Sequence, residues 1–235
     1  MISPVSDAAE RRRPLVVAID GPAASGKSST AKWVASELGM RHVDSGALYR
    51  AATASALRGE PESSRWTEDL VLAAAAIVTL VPGETTFHAR LAGASAEAEL
   101  RGHEVTSRVS LVARMPRVRD WVNARVREAA EGHPVVVDGR DMGTAVFPKA
   151  RVKIFLVADP WERAKRRLVQ RFERQPTEAE IAEETDALVH RDAKDESQTR
   201  RADDAVLIDT TYLTQEEQVA RIVALARQAL RATPA

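Results

Sequence analysis

Between Gly21 and Ser28 the chain reads Gly21-Pro22-Ala23-Ala24-Ser25-Gly26-Lys27-Ser28, followed by Ser29. This is the spacing of a loop that wraps a phosphate group. Its glycines let the backbone curl so that several N–H groups point at one anion, and the helix expected behind it adds its positive end. Lys27 has the reach for the outer phosphates of a nucleoside triphosphate. The Ser28 hydroxyl suits Mg²⁺, so Mg²⁺ arriving with a nucleoside triphosphate is the expected cofactor. A Gly/Ser turn could carry the same letters, but the apolar run over 15–19 and the helical pattern behind the loop supply the strand and helix a phosphate loop needs.

Three further clusters carry chemistry. Asp44-Ser45-Gly46-Ala47-Leu48-Tyr49-Arg50 reads as a strand end turning into a helix. There Arg50 can fork onto a phosphate, or Asp44 and Ser45 can simply cap the helix. The run 136–144 is an apolar strand ending in Asp138, then Gly139, Arg140, Asp141 and Gly143. A carboxylate at such a strand end can act on Mg²⁺ through water. Finally, Arg163, Arg167, Arg171 and Arg174 share one face of an expected helix that also carries Arg166, with Arg191 and Asp195 beyond. Mobile arginines that close over a transferring phosphoryl group neutralise its spread charge and exclude water; a plain solvated basic face is the alternative.

The elements that must position these groups follow from hydrophobic patterning. Short continuous apolar runs at 15–19, 134–137, 152–157 and 205–208, with a shorter one at 41–43, predict five parallel strands. Helical patterns fill 28–38, 47–57, 116–130, 160–174, 177–191 and 214–231. Alternation of the two predicts an α/β, doubly wound sheet with helices on both faces and ligands at the carboxyl ends of its strands. The stretch 71–114 breaks this rhythm with a strand–turn–strand pattern, read as a small antiparallel insertion. The predicted division is a polar leader over 1–13, a core from 14–70, 115–160 and 203–235, the insertion over 71–114, and a helical lid over 161–202.

Composition narrows the class. Zero formal net charge and 4% aromatic residues argue against a nucleic-acid polymer as partner. The absence of cysteine removes disulfides, thiolate metal sites and a cysteine nucleophile, and fits a cytoplasmic setting. The five histidines are scattered without ligand spacing, and the four tryptophans read as packing residues. Nothing signals a membrane span or an obligate partner, so a monomer is expected.

The ordered set IDGPAASGKSS, VDSGALYR, MPRVR, VVVDGRDMGTAVFP, VKIFLVADPWERAKRR, HRD and ADDAVLIDTT resembles the bacterial cytidylate kinases among P-loop nucleoside monophosphate kinases. The resemblance covers about residues 14–230. It implies phosphoryl transfer from Mg-ATP to CMP or dCMP in a core with a lid and a large NMP-binding insertion. By that resemblance Gly21 to Ser29, with Arg166 and Arg167, hold ATP. Ser45, Arg50 and Arg140 hold the CMP phosphate, and Ser110, Arg119 and Asp141 read cytosine. Arg191 is the lid arginine, and Asp195 takes the sugar hydroxyls. Cytosine offers an amino donor beside ring-nitrogen and carbonyl acceptors, which a carboxylate and an arginine can match, whereas uracil reverses that edge. One departure stands out: Gln198 occupies the place of a second arginine, in a shortened loop before Ala202, and Arg200 or Arg201 is expected to substitute for it. Kinases for AMP, UMP or a small metabolite, and a nucleotide-dependent switch, are the competing readings.

Overall fold

The computed structural model describes residues 15–231, so the leader expected over 1–13 lies outside the described residues. In chain order the first half contains β1 (Val16–Asp20), α1 (Lys27–Leu38), β2 (Arg41–Asp44), α2 (Ser45–Gly59), α3 (Glu68–Ala75), β3 (Val78–Pro82), β4 (Phe87–Leu91) and β5 (Ala94–Ser95). Then come α4 (Glu97–Arg101), α5 (His103–Ala113), α6 (Pro116–Glu131) and β6 (Val135–Gly139). The chain closes with β7 (Val152–Val157), α7 (Pro160–Phe172), α8 (Glu178–Asp195), β8 (Val206–Asp209) and α9 (Gln215–Arg231).

The five expected strands form one parallel sheet in the order β2-β6-β1-β7-β8. Both faces are covered, and the side chains alternate accordingly. Ala18, Val135 and Val137 point to the face packed by Leu48 and Val122, while Val17, Ile19 and Val136 point to Val34 and Ile222 on the other. This two-sided burial is why the strands read as unbroken apolar runs. It also leaves the polar residues at the carboxyl ends, Asp20, Asp44 and Asp138, along one rim of the sheet.

The insertion forms a three-stranded antiparallel sheet, β3-β4-β5, packed with α2, α3 and α5 around Val78, Ala89, Leu91 and Leu100. Helix α5 was not foreseen, although Val105, Val109 and Val112, spaced i, i+4, i+7, bury one of its faces.

Helices α7 and α8 make a hairpin around Ala164, Leu168, Ile181 and Leu188. Asp159 caps α7, with Pro160 in its first turn, and a Thr177–Glu180 capping box opens α8. The sequence pattern stopped α8 at 191. It runs on to Asp195 because nothing in Asp192-Ala193-Lys194-Asp195 breaks a helix, and a single 3₁₀ turn, Glu196–Gln198, follows. The tryptophans divide: Trp66 is buried, whereas Trp33 and Trp161 are exposed and do not pack the core.

Candidate active site

Two glycines shape the phosphate loop. Gly26 takes φ 84° at the start of α1, and a Cβ on Gly21 would sit 2.2 Å from the Leu156 carbonyl oxygen. Lys27 is buried and turned onto its own loop, donating to the Pro22 carbonyl at 2.5 Å and to Ser25 Oγ at 3.3 Å. Burial, with the Arg140 cation beside it, pulls its pKa well below the usual lysine value. Ser29 spends its hydroxyl on the Gly26 carbonyl at 2.9 Å.

Asp138, at the end of β6, ties three elements together. One carboxylate oxygen accepts the Ser28 hydroxyl at 2.5 Å, and the other meets His42 Nε2 at 2.6 Å. Its backbone carbonyl accepts the buried Ser45 hydroxyl at 2.8 Å. Burial opposes its ionisation, but the His42 and Ser28 hydrogen bonds and the Lys27 charge hold its carboxyl below the ordinary value. The site therefore keeps an anionic oxygen beside the phosphate loop. Asp20 does a related task one strand over: its two oxygens accept the Met142 and Gly143 N–H groups at 2.8 Å each. That fixes the loop after β6, which makes one π-helical turn over Met142–Val146.

Across the site Arg140 donates to the Gly21 carbonyl at 2.8 Å and to Asp195 at 3.3 Å. Arg191 approaches the same carboxylate at 3.8 Å. Arg191 Nε and Asp195 Oδ1 are buried without a hydrogen-bond partner. Burial and the charges of Arg140 and Arg50 lower the Arg191 pKa to about 10. Arg50 is likewise lowered by burial and by Arg101, Arg167 and Arg140, while it donates to the Leu100 carbonyl at 3.0 Å and Thr106 at 2.9 Å. Arg140 thus opposes the charge on Lys27, Arg50 and Arg191, a clustering of cations that a polyanion relieves.

Arg119, on α6, donates to Asp141, to the Ala113 carbonyl at 3.2 Å and to Gln198 Oε1 at 3.0 Å. Ser110 lies half-buried on α5 and makes no hydrogen bond to either member of the Arg119–Asp141 pair. Arg200 and Arg201 are exposed, so the contact to the site from this loop is made by Gln198 itself.

The arginine face of α7 does not act as one group. Arg163 is buried, donating to the Ala23 carbonyl at 2.7 Å and to Asp192 at 2.6 Å. Arg166 donates to the Thr210 and Thr211 carbonyls at 2.6 Å each, and Arg167 pairs with Glu184 at 3.2 Å. Arg171 and Arg174 are exposed, stacked on Phe172 and paired with Glu184 and Glu180. The sequence reading missed Asp20, His42 and Asp192. Asp20 stood in plain view as the residue ending β1, whereas only the β2-β6 pairing, with His42 opposite Val136, brings His42 to Asp138.

Ser28 and Asp138 supply a hydroxyl and a carboxylate, the oxygen donors that Mg²⁺ accepts alongside nucleotide phosphates and water. Among the described residues no group of three or more His, Cys, Asp or Glu side chains could hold a metal ion.

The cytidylate kinase family model matches residues 17–228. The chain is 39% identical over 221 residues to the cytidylate kinase of Chloroherpeton thalassium, covering 90% of this chain and 93% of that one. It is 43% identical over 224 residues to that of Geobacillus thermodenitrificans, covering 93% and 98%. With the phosphate loop, the opposing cations and this match over nearly the whole length, the chain belongs to the cytidylate kinase family.

Proposed function

We propose that this enzyme moves the γ-phosphoryl group of ATP directly, in line, onto the phosphate of CMP or dCMP. ATP-dependent phosphorylation of CMP is the family's reaction. The observation carrying the residue-level reading is that Arg140 reaches the Gly21 carbonyl of the phosphate loop at 2.8 Å and, with Arg191, the Asp195 carboxylate, beside the buried Lys27.

The chemistry asks little of a protein nucleophile. An oxygen of the CMP phosphate attacks the γ-phosphorus; that P–O bond forms as the bond to the β–γ bridging oxygen breaks, and ADP leaves. The attacking oxygen is already anionic, so no general base is required, and the work is orientation and charge neutralisation. Gly21 to Ser29 cradle the phosphates of ATP, and Lys27 leaves its loop contacts for the outer ones. Ser28 and Asp138 would hold Mg²⁺, directly and through water. The ion supplies charge neutralisation for the phosphates. Arg50, Arg140 and Ser45 take the CMP phosphate, and Arg191 reaches the transferring group. Asp195, with one buried oxygen unpartnered, accepts from the sugar hydroxyls. Arg166 and Arg167 lie on the ATP side.

Asp141 accepts the cytosine amino protons, while Arg119 donates to the ring nitrogen and carbonyl; Ser110 joins them from α5. In uracil a ring N–H faces Arg119 in place of an acceptor and a carbonyl faces Asp141 in place of the amino group, so Asp141 loses its partner and Arg119 keeps only the C2 carbonyl. Segment 71–114 serves as the NMP-binding unit and 161–202 as the lid. Among the described residues no helix is long and apolar enough to cross a membrane, and we read the enzyme as a cytoplasmic monomer acting on free nucleotides.

Incubation with Mg-ATP and, separately, CMP, dCMP, UMP, AMP and GMP, following ADP in a coupled assay, tests this. Turnover with CMP and dCMP far above the rest is expected. Turnover with UMP equal to that with CMP would remove the base-reading role of Arg119 and Asp141.

A further inference from the structure

Gln198 lies in the turn Glu196–Gln198 that follows α8, three residues beyond Asp195. Its side chain crosses to another part of the fold, where Oε1 accepts from Arg119 Nη1 at 3.0 Å. A guanidinium only donates, so the carboxamide must present its oxygen here, leaving its NH₂ with two donors. Arg119 is thereby held from three directions: by the Ala113 carbonyl at the end of α5, by Asp141 after β6, and by the turn that ends α8. Its side chain is only 19% exposed, so its orientation is set by these partners more than by water. One turn earlier on the same segment, Asp195 touches Arg140. A single stretch of chain therefore reaches both the phosphate-side and the base-side arginines.

We propose that Gln198 is a positioning residue for pyrimidine recognition. Its oxygen fixes the plane of the Arg119 guanidinium against Asp141, so the reading of an acceptor-bearing base edge is complete only when the end of α8 is seated on the site. The arginine that the resemblance places here could not accept from Arg119, because a guanidinium only donates, so this contact belongs to the glutamine of this chain. The proposal rests on the assignment of Arg119 and Asp141 to the cytosine edge.

The test compares Gln198→Met, Gln198→Glu, Arg119→Met and the double variant Gln198→Met/Arg119→Met in steady-state kinetics with CMP, UMP and ATP. Methionine keeps length and removes the acceptor; glutamate keeps an acceptor oxygen. Gln198→Met is expected to raise KM for CMP about tenfold, the effect of one hydrogen bond to a charged group, and to narrow the preference for CMP over UMP. KM for ATP stays within about twofold, Gln198→Glu binds CMP nearly as the parent does, and the double variant is no worse than Arg119→Met alone. Additive losses in the double variant, or an equal rise in KM for ATP, overturn the role of Gln198 while leaving the base assignment intact. An Arg119→Met enzyme that keeps its full preference for CMP over UMP overturns the base assignment itself.

Discussion

The carboxylate of Asp192, near the end of α8, accepts the backbone N–H of Ala23 in the phosphate loop at 2.9 Å. Arg163 completes the clamp from α7, bonding both the Ala23 carbonyl and Asp192. The next residue, Ala24, sits at φ 55°, a left-handed conformation costly for a residue with a Cβ. Side chains of the α7–α8 hairpin thus brace a strained turn of the loop that wraps the nucleotide phosphates. Asp192→Asn keeps one oxygen and loses the other, so we expect about 1–3 kcal/mol lower stability in urea denaturation and a raised KM for ATP. Unchanged values for both would show the clamp to be inert.

Asp138 connects the Ser28 hydroxyl to the strand end, and in the function we propose its ionised form serves the Mg²⁺ side. Asp138→Asn leaves the shape and removes the charge. A kcat loss of about a hundredfold is expected, with a shift of the Mg²⁺ dependence to higher concentration. A variant with normal kcat across a Mg²⁺ titration would remove Asp138 from the catalytic set.

Gly21 has no room for a methyl group, because the Leu156 carbonyl oxygen stands 2.2 Å from its Cβ position. Its φ of 148° adds strain for any other residue. Gly21→Ala should therefore cost about 3 kcal/mol or more, or fail to fold, read by thermal melting. A melting temperature within experimental error of the parent contradicts this packing argument.

Burial pushes the Asp20 carboxyl up to about 6, against the Met142 and Gly143 N–H groups that favour its charge, with Asp141 raising it further and Lys27 lowering it. An acid whose folded pKa exceeds its unfolded value is most favourable to the fold while protonated. Its contribution is full below about pH 4 and declines as the pH rises through 6. The stability difference between the parent and Asp20→Asn, measured from pH 4 to 8, should shift in favour of Asn as the pH rises through that window. A flat difference would mean that Asp20 titrates normally.

The chemical vocabulary of this site was legible in the residues. Gly21 to Ser28, Asp138 at a strand end and Arg140 beside it announced phosphate handling, because a phosphate loop is built from contiguous backbone that the sequence spells out directly. The five parallel strands were legible for a similar reason: two-sided burial forces each into an unbroken apolar run. Helix α5 and the extension of α8 to Asp195 escaped notice among charged residues, though the valines of α5 keep helical spacing.

The linear order of residues determined which groups could bind phosphate and the sheet that carries them. Tertiary structure decided which cations face the site. Arg163 and Arg167 share a helical face and looked equivalent, yet burial against Ala23 made the first a brace for the loop, while Arg171 and Arg174 went to surface glutamates. Gln198 stands out in the sequence only as the replacement of an expected arginine; that it meets Arg119, across 79 positions of chain, is decided by the fold. Hydrogen bonds depend on proximity and direction, and for residues so far apart in sequence only the packed fold supplies either.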